Sequence, residues 1–395
     1  MLASLERPTP HAGKTLPQLD ALRGVAILAV FTQHLGDRFL PLVRSAIETH
    51  VPASIAAWIL TILHHAWWGV DLFFVLSGFS LALSWFRSGG QSARTFFIRR
   101  AARILPAYYV ALAVTLLFHR SIILQKDFAA ALFMHALVLQ GYFPIGGIVF
   151  IGATWSLTTE ISFYILFPWL ARLVSSPKRH LVLGACALVL TTWLVRSILH
   201  DWSLEPGLFA GMLEATQRRW IVSRLDQFLL GALAARVFVL LEHSSRAARL
   251  APLALGMCFP ALIAAFRLEG AYYFELGGSH PYALLSLVTT AIVLSACLCR
   301  GRLVGAIAPR PLVFTGIVSY GVFLYHQLAL GLCDFEPLAP PSWTNLARTS
   351  ILALGLSLLV GYASWIFIEK PMMKRMAVTT SPPPAPVRVS TPLSE

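Results

Sequence analysis

Arg23 and His34 stand eleven residues apart in the apolar stretch LDALRGVAILAVFTQHLGDRFL, Leu19 to Leu40. In a helix of ~3.6 residues per turn this is almost three whole turns, so both side chains share a face within about 20° and lie about 16 Å apart along the axis. A guanidinium at one edge of a ~30 Å hydrocarbon layer and an imidazole well inside it would follow. An ionisable group in hydrocarbon costs at least a few kcal/mol, so such residues face a bundle interior or a water-filled cavity. The stretch reads as the wall of a site. The plain alternative is that Arg23 snorkels to the interface while His34 caps the outer helix end.

A second set of basic residues lies in FFIRRAARILPAYY, where Arg99 or Arg100 with Arg103 is spaced i, i+3 or i, i+4 on a helix entering the membrane. Forked guanidinium donors suit phosphate oxygens; the competing role is positive-inside anchoring. Depth counted at ~1.5 Å per residue puts His34, Asp71 of GVDLFFVLSGF, Glu160 of TWSLTTEISFY and His326 of SYGVFLYHQL in one layer, ~20 to 22 Å above the inner edge. Four ionisable groups from four helices at one height point to a shared site, against the alternative of separate interhelical hydrogen bonds. Arg224 and Asp226 of RLDQFLLGALAA lie near the outer face, and either pair with each other or line an entrance for a polar acceptor.

The elements that must position these residues are helical. The 395-residue chain is 57% hydrophobic and only 12% charged, which excludes an ordinary soluble composition and implies a polytopic all-α membrane protein. Its net charge of +13 does not signal nucleic acid, because the basic residues fall between hydrophobic segments and form no separate domain. Ten segments approach the length of a span: 21–40, 66–86, 104–118, 153–173, 181–200, 221–241, 250–267, 282–300, 312–333 and 347–368. Phe128 to Gln140 is expected to be a surface or dipping segment. Ten crossings with both termini cytoplasmic place 21 lysines and arginines inside and 10 outside, whereas acids such as Asp37, Asp334 and Glu336 fall outside. Residues 1–18 are then a cytoplasmic segment, 19–376 the membrane domain, and 377–395 a Pro-rich disordered tail. The first apolar run lacks a basic leader and a cleavage site, so it should be retained. Cys186, Cys258, Cys297, Cys299 and Cys333 lack metal-site spacing and read as packing residues; no metal is expected. His64 and His65 read as solvated interface histidines.

Taken in order, the R-x10-H of Arg23 and His34, GVDLFFVLSGF, the R-x-x-R of Arg100 and Arg103, WSLTTEISFYILFP, RLDQFLLGALAA, SYGVFLYHQ and WIFIEKPMMK resemble the membrane-bound acyltransferase 3 family from Leu19 to Lys374. The resemblance implies a bacterial inner-membrane enzyme that moves an acyl group, usually acetyl, from cytoplasmic acyl-coenzyme A to a hydroxyl of a carbohydrate or glycoconjugate. It also implies catalytic roles for the histidine and glutamate motifs and donor binding by the arginine motifs. Many members carry a second acid where this chain has Ile161, and a late tryptophan-histidine pair is here Tyr325 and His326, which argues against a two-carboxylate mechanism. The fused extracytoplasmic hydrolase-like domain of some members is not expected.

On this reading His34, Glu160, His326 and Asp71 are the catalytic candidates; Arg23, Arg99, Arg100 and Arg103 bind acetyl-coenzyme A as co-substrate; Arg224, Asp226, Trp155 and Tyr325 bind the acceptor. His34, oriented by a carboxylate such as Glu160, would take the acceptor's proton, with His326 or a serine donating to the oxyanion. A covalent acyl-His34 is the alternative route. A transporter or flippase is the rival class; it calls for inverted repeats and broken helices, which the sequence does not display.

Overall fold

The computed structural model describes residues 16–119, 123–143, 149–176, 178–204, 219–271, 280–337 and 339–380, and among these every regular element is helical. The helices are α1 (Pro17–His50), α2 (Ala53–His64), α3 (Trp68–Arg87), α4 (Ala93–Phe118), α5 (Phe128–Ala136), α6 (Trp155–Ser175), α7 (Arg179–Leu204) and α8 (Ile221–Leu241). They continue as α9 (Ser245–Ala271), α10 (His280–Leu298), α11 (Arg302–Ile307), α12 (Arg310–Ile317), α13 (Ser319–Cys333), α14 (Trp343–Ser364) and α15 (Lys370–Thr380). All ten expected apolar segments are helical, which makes the chain a polytopic all-α membrane protein. Among the described residues six helices are long and apolar enough to cross a membrane, seven with the bent pair α12 and α13. Helix α1 carries Asp20, Arg23, Asp37 and Arg38, and α8 carries Arg224, Asp226 and Arg236; neither is among the six.

Three elements differ from the sequence-based expectation. Helix α4 is longer, capped where the Ser92 hydroxyl accepts from the Thr95 amide, so its arginines sit inside the helix and not at its start. The segment expected over 312–333 is broken at Val318, with α12 and α13 bent by 79°. The last helix passes through a π turn, Trp365–Glu369, which buries Trp365 and Glu369. At the ends, helix already covers Pro17 and Gln18 and continues to Thr380; residues 1–15 and 381–395, and with them most of the two terminal segments expected from the sequence, lie outside the described residues. The dipping segment contains the short α5, held by the Tyr108 and Tyr109 hydroxyls, which donate to the His135 and Ala136 carbonyls at 2.9 and 2.8 Å.

Lipid offers no hydrophobic gain for helix pairing, so close backbone approach through small residues must hold the bundle. A Cβ on Gly78 would overlap the Phe228 carbonyl, and one on Gly231 the Val75 carbonyl; α3 and α8 therefore cross backbone to backbone. Gly24 and Gly316 do the same for α1 and α12, against the Leu312 and Asp20 carbonyls. A run of stacked rings continues the core: Phe74 on Phe228 at 4.7 Å, Phe228 on Phe163 at 4.2 Å, and Phe96 on Phe167 at 5.1 Å, tying α3, α8, α6 and α4 together.

Candidate functional site

A cavity of about 120 Å³ opens between α1, α3, α4, α6 and α13. Its charged lining is Arg23, Arg100, Arg103 and Glu160, with hydroxyls from Ser77, Ser80, Ser156, Tyr164, Ser319 and Tyr320. Arg23 and Glu160 are each held from their own and a neighbouring helix. Arg23 donates to Asp20 Oδ1 at 2.8 Å, one turn back on α1, and to Ser80 Oγ on α3 at 2.7 Å. Glu160 Oε1 accepts from Ser77 Oγ at 2.9 Å and from Tyr164, one turn along α6. The Arg100 guanidinium lies 5.9 Å from the Phe96 ring, and its Nε has no hydrogen-bond partner. Tyr320 donates to the Ile104 carbonyl at 3.0 Å, which fixes α13 against α4 across the cavity. Arg99, adjacent to Arg100, does not line the cavity.

At the other end the lining becomes apolar, with Val70, Phe73 and Phe323 packed into a cluster with Ile27, Val30, Val318 and Val322. Beyond this collar stand the histidines. The His34 and His326 rings are 5.2 Å apart, and Phe323 is 6.3 Å from His326. His34 Nδ1 lies 3.0 Å from Asp37 Oδ2, and the Gln327 amide nitrogen lies 3.4 Å from both ring nitrogens. His326 is fully buried, with Nδ1 at 2.8 Å from the Phe323 carbonyl and 3.2 Å from that of Val322. A carbonyl only accepts, so Nδ1 carries the hydrogen and the neutral ring keeps its Nε2 as a lone pair. That nitrogen has no partner, and the expected donation from His326 to an oxyanion is not open to the neutral ring.

The layer read from the sequence is thus divided among three places. Glu160 joins the arginines, not His34, whose carboxylate is Asp37. Asp71 turns away to α8, where its Oδ1 meets Arg224 Nη1 at 2.9 Å with both side chains buried. Beside it Asp226 is paired with Arg196 of α7, and accepts from Trp193 at 2.8 Å and Ser286 at 2.9 Å. Arg224 and Asp226, two positions apart, point to different neighbours and do not pair with each other. The Tyr282 ring faces both guanidinium groups at 5.0 and 5.3 Å. None of Asp71, Arg224 and Asp226 lines the cavity. Trp155 packs edge-on against Phe74 at 6.4 Å, and Tyr325 is buried in α13; neither lines the cavity.

His65 also departs from the sequence reading. It is buried, stacks on Phe266 at 4.7 Å, and is lowered to a pKa of about 4 by burial, whereas its neighbour His64 is exposed. Asp20, Ser77, Ser80, Tyr164 and Gln327 escaped the sequence reading. Asp20 and Tyr164 had a usable signal, since i, i+3 and i, i+4 partners of Arg23 and Glu160 share their helix faces. Among the described residues no group of three or more His, Cys, Asp or Glu side chains is placed to hold a metal ion.

The profile of the acyltransferase 3 family, described as an acyltransferase domain, matches residues 16–368. The chain belongs to that family. Among family relatives, the putative peptidoglycan O-acetyltransferase YrhL of Bacillus subtilis is 25% identical over 394 residues, covering 90% of this chain and 55% of the relative. The peptidoglycan O-acetyltransferase OatA of Listeria monocytogenes is 25% identical over 406 residues, covering 94% and 58%. The chain therefore spans a little over half the length of these two. Nodulation protein 10 of Rhizobium leguminosarum is 27% identical over 340 residues, 80% of this chain and 84% of the relative. No solved structure matches the acyltransferase 3 chain.

Proposed function

We propose that the protein is an O-acetyltransferase of the bacterial inner membrane, taking acetyl from acetyl-coenzyme A on the cytoplasmic side and placing it on a hydroxyl of a carbohydrate or glycoconjugate. The observation that carries this is the pairing of an arginine-lined cavity with a histidine site on the same helices, α1 and α13, one beyond the other. Arg23, Arg100 and Arg103 suit the donor's phosphates, and Arg99 adds charge beside them; the hydroxyl-rich wall suits the amide-bearing pantetheine arm. The thioester end would pass the collar of Val70, Phe73 and Phe323 to meet His34. Family membership and the peptidoglycan O-acetyltransferase relatives support the same reaction class. Ten crossings with both termini cytoplasmic remain the topology of this proposal, because they put the arginines on the donor's side.

His34 takes the proton of the acceptor hydroxyl as its oxygen attacks the thioester carbonyl. The tetrahedral oxyanion collapses with cleavage of the C–S bond, and the imidazolium returns its proton to the coenzyme A thiolate. Glu160, tied to Ser77 and Tyr164, holds the cavity wall and balances the arginines. The acceptor comes from the outer side, where His34 is partly exposed.

Protein reconstituted in vesicles with labelled acetyl-coenzyme A should yield acetylated acceptor and free coenzyme A. His34→Ala should abolish transfer while coenzyme A still binds; full activity in that variant would overturn the mechanism. The break at Val318 is a feature that a carrier would share. A carrier would only redistribute solute in this assay. Mass spectrometry of surface glycans from cells with and without the gene identifies the acceptor.

A further inference from the structure

Two side chains outside the catalytic and donor-binding sets touch His34. Asp37 lies one turn outward on α1, its Oδ2 3.0 Å from His34 Nδ1. A carboxylate at neutral pH only accepts, so this contact puts the hydrogen on Nδ1 and leaves the neutral ring's lone pair on Nε2. Gln327 approaches from α13. The Ala153 backbone N–H donates to its Oε1 at 3.0 Å, which settles which end of the amide is oxygen and turns the NH2 toward His34.

The Gln327 nitrogen is 3.4 Å from both His34 ring nitrogens, so it sits across the ring's nitrogen-bearing side. That is long for a strong hydrogen bond, yet close enough to oppose rotation of the ring. Gly152 makes room for this arrangement: a Cβ there would stand 2.9 Å from Gln327 Oε1 and 3.0 Å from its Nε2. The titratable groups facing His34 are Asp37 on its own helix and His326 from α13. Arg38, next along α1, is committed elsewhere, to Asp334 at 2.7 Å and to the carbonyls of Glu336, Pro337 and Ala339.

We propose that Asp37 and Gln327 are the positioning residues of the transfer reaction: they hold His34 in the Nδ1–H form, with its Nε2 aimed at the acceptor hydroxyl. This rests on His34 being the base. Asp37 also keeps its hydrogen bond to the imidazolium that forms when the hydroxyl proton is taken. Gln327, anchored to the turn that starts α6, carries the position of that helix to the ring.

The test uses the full-length protein in vesicles with acetyl-coenzyme A and the acceptor glycan, in Asp37→Asn, Gln327→Ala and Gly152→Ala variants. Each should lower kcat by on the order of 10- to 100-fold, the cost of misplacing a reacting group, with KM for acetyl-coenzyme A within about twofold of the parent. Gly152→Ala, which displaces the Gln327 amide without removing it, should match Gln327→Ala. Asp37 is largely exposed, so its variant does not endanger the fold. Parental kcat in Asp37→Asn and in Gln327→Ala, with His34→Ala inactive, overturns this inference and leaves the base intact. An active His34→Ala removes the base reading itself.

Discussion

Replacing Arg100 with Gln tests whether the cavity is a phosphate site. Three guanidinium groups open on it, from Arg23, Arg100 and Arg103. Asp20 is bonded to Arg23, and Glu160 lies in the same wall, so the lining holds one positive charge more than its carboxylates neutralise. An anionic donor would complete the balance. A charge-assisted hydrogen bond is worth about 1.5 to 3 kcal/mol, and each 1.4 kcal/mol is tenfold in Kd, so Arg100→Gln should weaken acetyl-coenzyme A binding roughly 10- to 150-fold. Titration calorimetry in detergent measures this directly, with S-acetylpantetheine, which lacks the nucleotide phosphates, as the control ligand. Equal weakening of both ligands, or unchanged affinity for acetyl-coenzyme A, would refute the argument and return these arginines to membrane anchoring.

Other perturbations test the frame. Asp226→Asn should cost about 3 to 5 kcal/mol by leaving the buried Arg196 guanidinium without its carboxylate, and Arg196→Met/Asp226→Leu should recover most of it in detergent melts. His65 has a folded pKa near 4 against 6.5 unfolded, so the unfolded chain binds its proton first as pH falls. Stability is full above pH 6.5 and declines toward pH 4, by at most about 3 kcal/mol, and His65→Phe should flatten that slope in melts at pH 7.5 and 4.5. Gly231→Val would drive a side chain into the Val75 carbonyl and separate α8 from α3, so the folded, monodisperse fraction on size exclusion should collapse.

The helical membrane architecture was legible from composition, because about 20 apolar residues in succession have few other uses. So was the pairing of groups along one helix. Arg23 and His34 do stand on a common helix, Arg100 and Arg103 do open on one cavity, and Tyr164 sits where the i, i+4 relation to Glu160 puts it. Spacing fixes height and face within a helix, and nothing more. Which helix meets that face is decided by backbone contacts at Gly24, Gly78, Gly231 and Gly316, scattered over the chain with no periodic mark linking them. For this reason Asp71, His34 and Glu160, similar in counted depth, ended in three neighbourhoods. The same three-dimensional choice set Gln327 of α13 against His34, bent the chain at Val318, and turned His65 inward onto Phe266. Distances along a chain are local, whereas a site is made where distant turns of different helices are pressed together, and only the folded bundle sets that.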